Sequence, residues 1–208
     1  MKSLRLVIYD ATQKGGRFLP GLSWIWGVAA WFYRWMGWID DYRAARDWAD
    51  ALGWVGTVGA GTPIGEIQFW GHGLWGLALI GKEPLDVSFC DPGHPLHQHL
   101  CRLRERFLPD HGSLFWFRTC ETFGAEAGQR FAAEFADCLG CCVAGHTHVI
   151  GILQSGFCVL APGEAPDWPA TQGVASGTPS APKRALRSSW RAPNTITCLR
   201  RSLPGLGR

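Results

Sequence analysis

The chain has 208 residues, 47% of them hydrophobic and 18% charged, with 12 tryptophans and a formal net charge of +3. Those fractions exclude a disordered or fibrous protein and leave room for one hydrophobic core with an appendage. The charge is uneven: residues 168–208 hold seven Lys and Arg and no acid, which suits nucleic acid or anionic lipid, yet dispersed charge carries no specificity. We therefore expect a solvated tail lying on an acidic body, and no specific nucleic-acid partner.

"SLRLVIYDAT" (3–12) reads as a buried strand. A chain that opens this way has no signal-peptide pattern, and it is too long for a stapled mini-protein. Its eight cysteines are expected mostly as buried thiols in a reducing compartment, the cytoplasm. Residues 18–39, "FLPGLSWIWGVAAWFYRWMGWI", hold five tryptophans. A spanning helix needs about 20 apolar residues, and Arg34, Pro20, Gly21, Gly27 and Gly37 interrupt this run. A buried or interfacial hairpin of helices is expected, helical from about Trp24, with membrane or partner contact as its possible use.

"DDYRAARDWADALGWV" (40–55) reads as one helix capped by Asp40 or Asp41, with Tyr42, Ala45, Trp48, Ala49 and Leu52 on a face. "GEIQFWGHG" is a strand, and "WGLALIGKEPLDV" a further short strand and turn. Residues 91–108 start at an Asp-Pro-Gly turn and turn helical, with Leu96, Leu100, Leu103 and Phe107 inward; His94, His97 and His99 are assigned to the surface. "SLFWFRTC" (113–120) is a strand. Residues 124–140 form the clearest helix, striped by Ala127, Phe131, Phe135, Cys138 and Leu139 and stopped by Gly140. "CCVAGHTHVIG" (141–151), "GFCVLAP" (156–162) and "NTITCLR" (194–200) complete the strands. Residues 1–162 form the α/β domain, and 163–208 a Pro/Gly-rich basic extension packed on it.

Alternating strands and helices imply an α/β sandwich with a largely parallel sheet, and such sheets bind ligands at the carboxyl ends of their strands. Three strands end on reactive residues: His72-Gly73, Arg118-Thr119-Cys120, and His146-Thr147-His148. A cysteine nucleophile needs a base, and His72 and Cys120 are the leading pair. Gly73 and Cys120 can offer N–H groups to an oxyanion, and a helix starting just after Cys120 would favour a thiolate. Arg118 shares the strand side of Cys120 and either lines a pocket for an acidic side chain or pairs internally with Glu121 or another carboxylate. Glu121 opposes a low thiol pKa and is assigned with Arg118 to substrate binding. His146 and His148 border the cleft, contacting substrate or shaping the loop. A competing reading joins Cys138, Cys141, His146 and His148 around a structural zinc.

His72-Gly73 and Cys120 lie 48 residues apart on separate strand ends. In the caspase pattern the histidine precedes the cysteine by about 50 residues. Over residues 64–152 the chain resembles the caspase-like (clan CD) cysteine peptidases, a group that includes caspases, gingipains, separase and bacterial CHAT domains. "TCETFG" (119–124) is similar to the Cys-Glu-Thr-Gly step of CHAT-type domains, with Phe123 inserted before Gly124. The resemblance implies a caspase-like three-layer sandwich with a mostly parallel sheet, to which 18–39 is a Trp-rich helical insert. It implies a cysteine endopeptidase acting on protein or peptide, with His72 as base and Cys120 as nucleophile, and no metal or cofactor. Some domains of this group are inactive scaffolds, so a non-catalytic interaction module is the second functional expectation.

Overall fold

A computed structural model describes residues 2–16, 20–191 and, for the backbone alone, 194–197. The strands of the main sheet are β1 (Leu4–Asp10), β2 (Asp41–Ala45), β3 (Ile64–Trp70), β7 (Leu114–Arg118), β8 (Cys142–His146) and β10 (Phe157–Leu160). Their order is β10-β8-β7-β3-β1-β2. Every neighbouring pair is parallel except β8 with β10. Helices α1 (Leu22–Trp35), α2 (Trp48–Thr57), α3 (His97–Arg104) and α4 (Ala125–Leu139) lie among them. After β3 a three-stranded hairpin, β4 (His72–Leu74), β5 (Leu77–Ile80) and β6 (Glu83–Leu85), leaves the sheet. The protein is thus mixed α/β with a mostly parallel central sheet flanked by helices.

Strand alternation sorts the residues onto two faces. Leu6, Ile8, Ile67, Phe69, Phe115, Phe117 and Val143 share one core with Trp48, Leu52 and Val55 of α2, Leu100 and Leu103 of α3, and Phe131, Phe135 and Leu139 of α4. On the opposite face Val7 and Trp70 pack with Ala30 and Tyr33 of α1, while Leu114, Trp116, Cys142 and Ala144 form a separate cluster with Phe157 and Val159. α4 ends as its sequence demands, on Gly140 at φ +64°.

Several expectations are corrected. The first half of 40–55 is the edge strand β2, because Asp41–Ala45 pairs in parallel with Leu6–Asp10. A long-range ladder there overrides local helical periodicity. The helix then starts after Asp47, whose carboxylate accepts from the Asp50 N–H at 2.7 Å. The Trp-rich segment is one helix rather than a hairpin; its residues 18 and 19 lie outside the described residues. Cys141, Cys142 and Cys158 are buried, but Cys90, Cys120 and Cys138 are only partly so and Cys101 is exposed. His94 and His97 are not simple surface residues: His94 stacks on Phe89 at 4.0 Å, and His97 Nδ1 meets the Phe89 carbonyl at 3.0 Å. Of 194–200, Asn194–Thr197 forms strand β13, which pairs with β9 (Leu153–Ser155), and 198–200 lies outside the described residues.

After residue 162 the chain returns to the carboxyl end of the sheet. Trp168 stacks on Phe123 with centroids 5.8 Å apart and donates from Nε1 to the Phe123 carbonyl at 3.0 Å. A hairpin, β11 (Val174–Thr178) and β12 (Ala181–Ala185), follows, and its turn accepts from Glu126 N–H through the Pro179 carbonyl. Among the described residues, no helix is long and apolar enough to cross a membrane.

One buried carboxylate ties the hairpin to the sheet. Asp10, fully buried at the end of β1, accepts from Thr12 N–H and Oγ1, both at 2.7 Å, from Gln13 Nε2 at 3.0 Å and from Gly81 N–H at 3.1 Å. Gly81 is the turn between β5 and β6, at φ +63°. Removing the acceptor orphans several partly buried donors. Asp10→Ala is expected to lower unfolding free energy by about 3 kcal/mol in urea titration.

Candidate active site

The site begins with a register. β3 and β7 pair Phe69 with Phe117 and Trp70 with Arg118. His72 and Cys120 each follow two residues beyond that last pair, so they leave adjacent parallel strands at the same level. Adjacent strands are about 4.8 Å apart. The structure therefore brings the two predicted residues to one edge of the sheet.

Gly73 shows how closely the two segments meet. A Cβ there would lie 2.6 Å from the Cys120 carbonyl oxygen and 2.8 Å from Thr119 Cβ. Only glycine lets β4 pass the Cys120 loop at this distance. The loop itself is held by two threonines: Thr119 and Thr122 hydroxyls are 2.6 Å apart, and Thr122 Oγ1 also lies 3.2 Å from the carbonyls of Leu77 and Cys120. Glu121 sits at φ +47°, a strained conformation for a residue with a side chain, and its N–H donates to the His148 carbonyl at 3.0 Å. Among the described residues, the Cys120 N–H has no acceptor in the protein.

Phe123, the extra residue of the "TCETFG" step, is fully buried against Phe117, Phe131 and Trp168. Its ring lies where a side chain of residue 145 would be, 2.7 Å from the position of a Cβ on Gly145. The insertion thus anchors the loop in the core.

The side chains of the pair are both half-buried. His72 meets the edge of Trp26 at 5.9 Å between centroids. The Cys120 thiol donates to the Ile150 carbonyl at 3.7 Å. No hydrogen bond joins the imidazole to the thiol among the described residues. Burial raises the Cys120 pKa, the Glu121 carboxylate raises it further, and Arg187 and the Ile150 contact pull it down. The expected thiolate at a helix N-terminus is absent, because α4 begins only at Ala125 and the thiol is desolvated. Glu121 is itself held above the usual carboxylate range by burial.

The other predicted site residues separate. Arg118 is 7% exposed; its guanidinium donates to Gln68 Oε1 at 3.0 Å and Gln154 Oε1 at 3.3 Å, and lies 4.4 Å from the Trp116 ring. Its hydrogen-bonding neighbours include two amides, and its charge acts on another carboxylate, lowering the Glu66 pKa against burial. His146 does not border the cleft. It is fully buried, with Nδ1 on the Ser155 carbonyl at 3.2 Å, and desolvation pushes its pKa down to about 3. His148 is half-buried, bonded through Nδ1 to Thr147 Oγ1 at 2.9 Å, and lines the loop beside Cys120.

The zinc reading fails on distance. Cys138 and Cys141 precede β8, while His146 and His148 lie at its far end. Five strand residues separate the two ends by roughly 13 Å. Among the described residues, no three His, Cys, Asp or Glu side chains are grouped to hold a metal ion.

Three features escaped the sequence reading: Trp26, the Thr119/Thr122 pair and Arg187. The repeated threonine of "TCET" was a local signal for the second. Arg187 had none. It reaches the site because Val149 bridges to it in parallel, with Val149 N–H donating to the Leu186 carbonyl at 2.9 Å.

The fold and site together define a mixed α/β protein that gathers a histidine, a cysteine and an exposed arginine at the carboxyl edge of a mostly parallel sheet. Comparison with protein-family models, with curated proteins and with solved structures returned no significant match.

The electrostatics set a pH dependence. Because burial and Glu121 raise the Cys120 pKa, its alkylation by iodoacetamide should stay slow through neutral pH and accelerate only above the ordinary thiol range. Glu121→Gln removes the like charge and should move that midpoint to lower pH. Site-resolved mass spectrometry of the folded protein measures both; an unmoved midpoint counts against the coupling.

Proposed function

We propose that the protein is a caspase-like cysteine endopeptidase with His72 and Cys120 as its dyad. The observation that carries the reading is the β3–β7 register, which delivers both residues to one edge, with Gly73 seated against the Cys120 carbonyl. A mostly parallel sheet with helices on both faces and an antiparallel edge strand is compatible with a caspase-like sandwich.

The chemistry is acyl transfer. His72 takes the Cys120 proton as substrate arrives, and the thiolate sulfur attacks the scissile carbonyl carbon. The free Cys120 N–H, with that of Gly73, meets the developing oxyanion. The carbon–nitrogen bond breaks, and the leaving amine takes the proton from His72. Water, deprotonated by His72, then attacks the thioester and releases the acid and the thiol. A protonated resting thiol fits this order, since activation waits for the substrate to displace water.

Two guanidinium groups favour an acidic side chain beside the cleaved bond. Arg187 is exposed and acts on the Cys120 thiol. Arg118 lies two residues before Cys120, where an acidic group could replace Gln154 at the longer of its two amide contacts. A quenched-fluorescent peptide library tests this directly. Wild type should cleave, and Cys120→Ala should lose about 10,000-fold in kcat. Arg187→Ala should lower the preference for acidic over neutral residues about tenfold. A wild-type protein inert to the whole library would overturn the peptidase reading.

A second reading has its own observation. The outward face of α1 carries Trp24, Trp31 and Trp35 at 63%, 57% and 69% exposure, beside Leu22, Ile25 and Val28. No acid lies in its first turn, and Arg34 is its one charged residue. Tryptophan joins an apolar body to a polar N–H and suits the bilayer interface, where a short helix lies in plane. On this reading the protein is a non-catalytic module held on a membrane surface. It predicts co-sedimentation with vesicles of mixed zwitterionic and anionic phospholipid, lost when Trp24, Trp31 and Trp35 are changed together to Ser. Wild type remaining in the supernatant would exclude it and leave a protein partner for that face.

A further inference from the structure

Away from the His72–Cys120 edge, two thiols meet across the fold. Cys90 ends the 3₁₀ turn Val87–Cys90, which follows the hairpin carrying His72. Cys138 lies in the last turn of α4, the helix that follows the Cys120 loop. Both are half-buried, and their thiols approach closely enough to share a hydrogen bond. They open onto a cavity of about 590 Å³, lined also by His97, Cys101, Arg104 and Glu105.

The surroundings make the two sulfurs unequal. Cys90 donates to the Glu134 carbonyl at 3.7 Å; its contact with Cys138 and its burial raise its pKa, the Glu134 and Asp86 carboxylates add to this, and it is held as the thiol. Cys138 faces the opposite field. Arg104 Nη1 caps the end of α4, donating to the carbonyls of Asp137 and Cys138 at 3.2 Å each. That cation offsets the negative end of the helix. The contact with Cys90 does most to lower the Cys138 pKa; burial opposes it, and His97 and then Arg104 lower it further. A partly exposed thiol of this kind, with a second thiol against it, has the arrangement of an attacking and a resolving cysteine.

We propose that Cys90 and Cys138 are a reversible dithiol–disulfide site, with Cys138 the attacking sulfur and a hydroperoxide the oxidant. The Cys138 thiolate attacks one peroxide oxygen; the O–O bond breaks, and the leaving hydroxide takes up a proton to become water. Cys138 is then a sulfenic acid. The Cys90 sulfur attacks the Cys138 sulfur and gives up its proton, the S–O bond breaks, and a second water leaves. Two thiols have lost two electrons, and hydrogen peroxide has become two waters. The disulfide ties the turn behind the His72 hairpin to the end of α4. The proposal does not depend on the peptidase reading.

The full folded chain is treated with one equivalent of hydrogen peroxide, blocked with N-ethylmaleimide, digested and mapped by mass spectrometry. The expected product is a Cys90–Cys138 crosslinked peptide, with both free thiols lost together and both restored by dithiothreitol. Cys101→Ser leaves the crosslink in place, and Cys138→Ser abolishes it. Recovery of Cys90 and Cys138 as separate maleimide adducts, while Cys101 or Cys120 carries the oxidation, overturns the proposal. So does a Cys101–Cys138 crosslink. Should Cys138→Ser fail to fold, the wild-type and Cys101→Ser maps decide alone.

Discussion

The pairing of β3 with β7 is the constraint on which the candidate site rests. Ile67 and Phe69 on one strand, and Phe115 and Phe117 on the other, all point into the core shared with α2, α3 and α4. A slip of one residue would turn those four side chains toward Trp116, Gln68 and Arg118 on the other face. The core therefore pins the register, and the register places His72 level with Cys120. Everything closer to the chemistry is a refinement. Asp10 holds the His72 hairpin down through Gly81, Gly73 lets the two segments touch, and Phe123 nails the Cys120 loop into the core.

The two faces of the sheet are built differently, and the difference concerns polarity. The face under α2, α3 and α4 is apolar. The opposite face carries a buried polar row: Glu66, Gln68, Arg118, Gln154 and His146. Gln68 Nε2 donates to Glu66 Oε1 at 2.6 Å and its Oε1 accepts from both Trp70 and Arg118, so one amide connects a carboxyl to a guanidinium. Such a row is costly to bury, and these bonds offset the cost for the carboxyl, the amide and the guanidinium; His146 Nε2, fully buried, has no hydrogen-bond partner among the described residues. One member of the row, Arg118, ends β7 two residues before Cys120.

Cysteine chemistry divides along the same lines. At the sheet edge, desolvation and Glu121 keep Cys120 protonated, while Arg187 alone among nearby charges pulls the other way. At the far end of α4, the contact with Cys90 favours the Cys138 thiolate, and His97 and Arg104 add to it. Two thiols of one chain are thus set apart chiefly by burial at one and by a neighbouring thiol at the other, with carboxylate and cation adding to each. α1 adds a third kind of surface, one in which Ala30 and Tyr33 face the sheet and tryptophans face outward.

What could be read from the sequence was whatever depends on local pattern. Alternation in "LRLVIYD" and "SLFWFR", the α4 stripe with Gly140 behind it, and the positions of His72-Gly73 and Cys120 after strand-like runs all follow from side-chain period and backbone preference. Elsewhere the local pattern misled. "DYRAA" has helical spacing but serves as an edge strand, because the exposed ladder of β1 offered it hydrogen bonds no helix could match. His146 looked like a cleft residue, yet strand alternation and the antiparallel β10 bury it. Arg187 was read as part of a solvated tail, and a single bridge to Val149 puts it beside the thiol. The sequence by itself determined which residues could do chemistry and roughly which strand ends would carry them, since both are properties of short segments. Only the tertiary structure decided which of them share an environment. Pairing register, burial and neighbouring charge arise between segments far apart in the chain, and those three set the reactivity of Cys120 and Cys138.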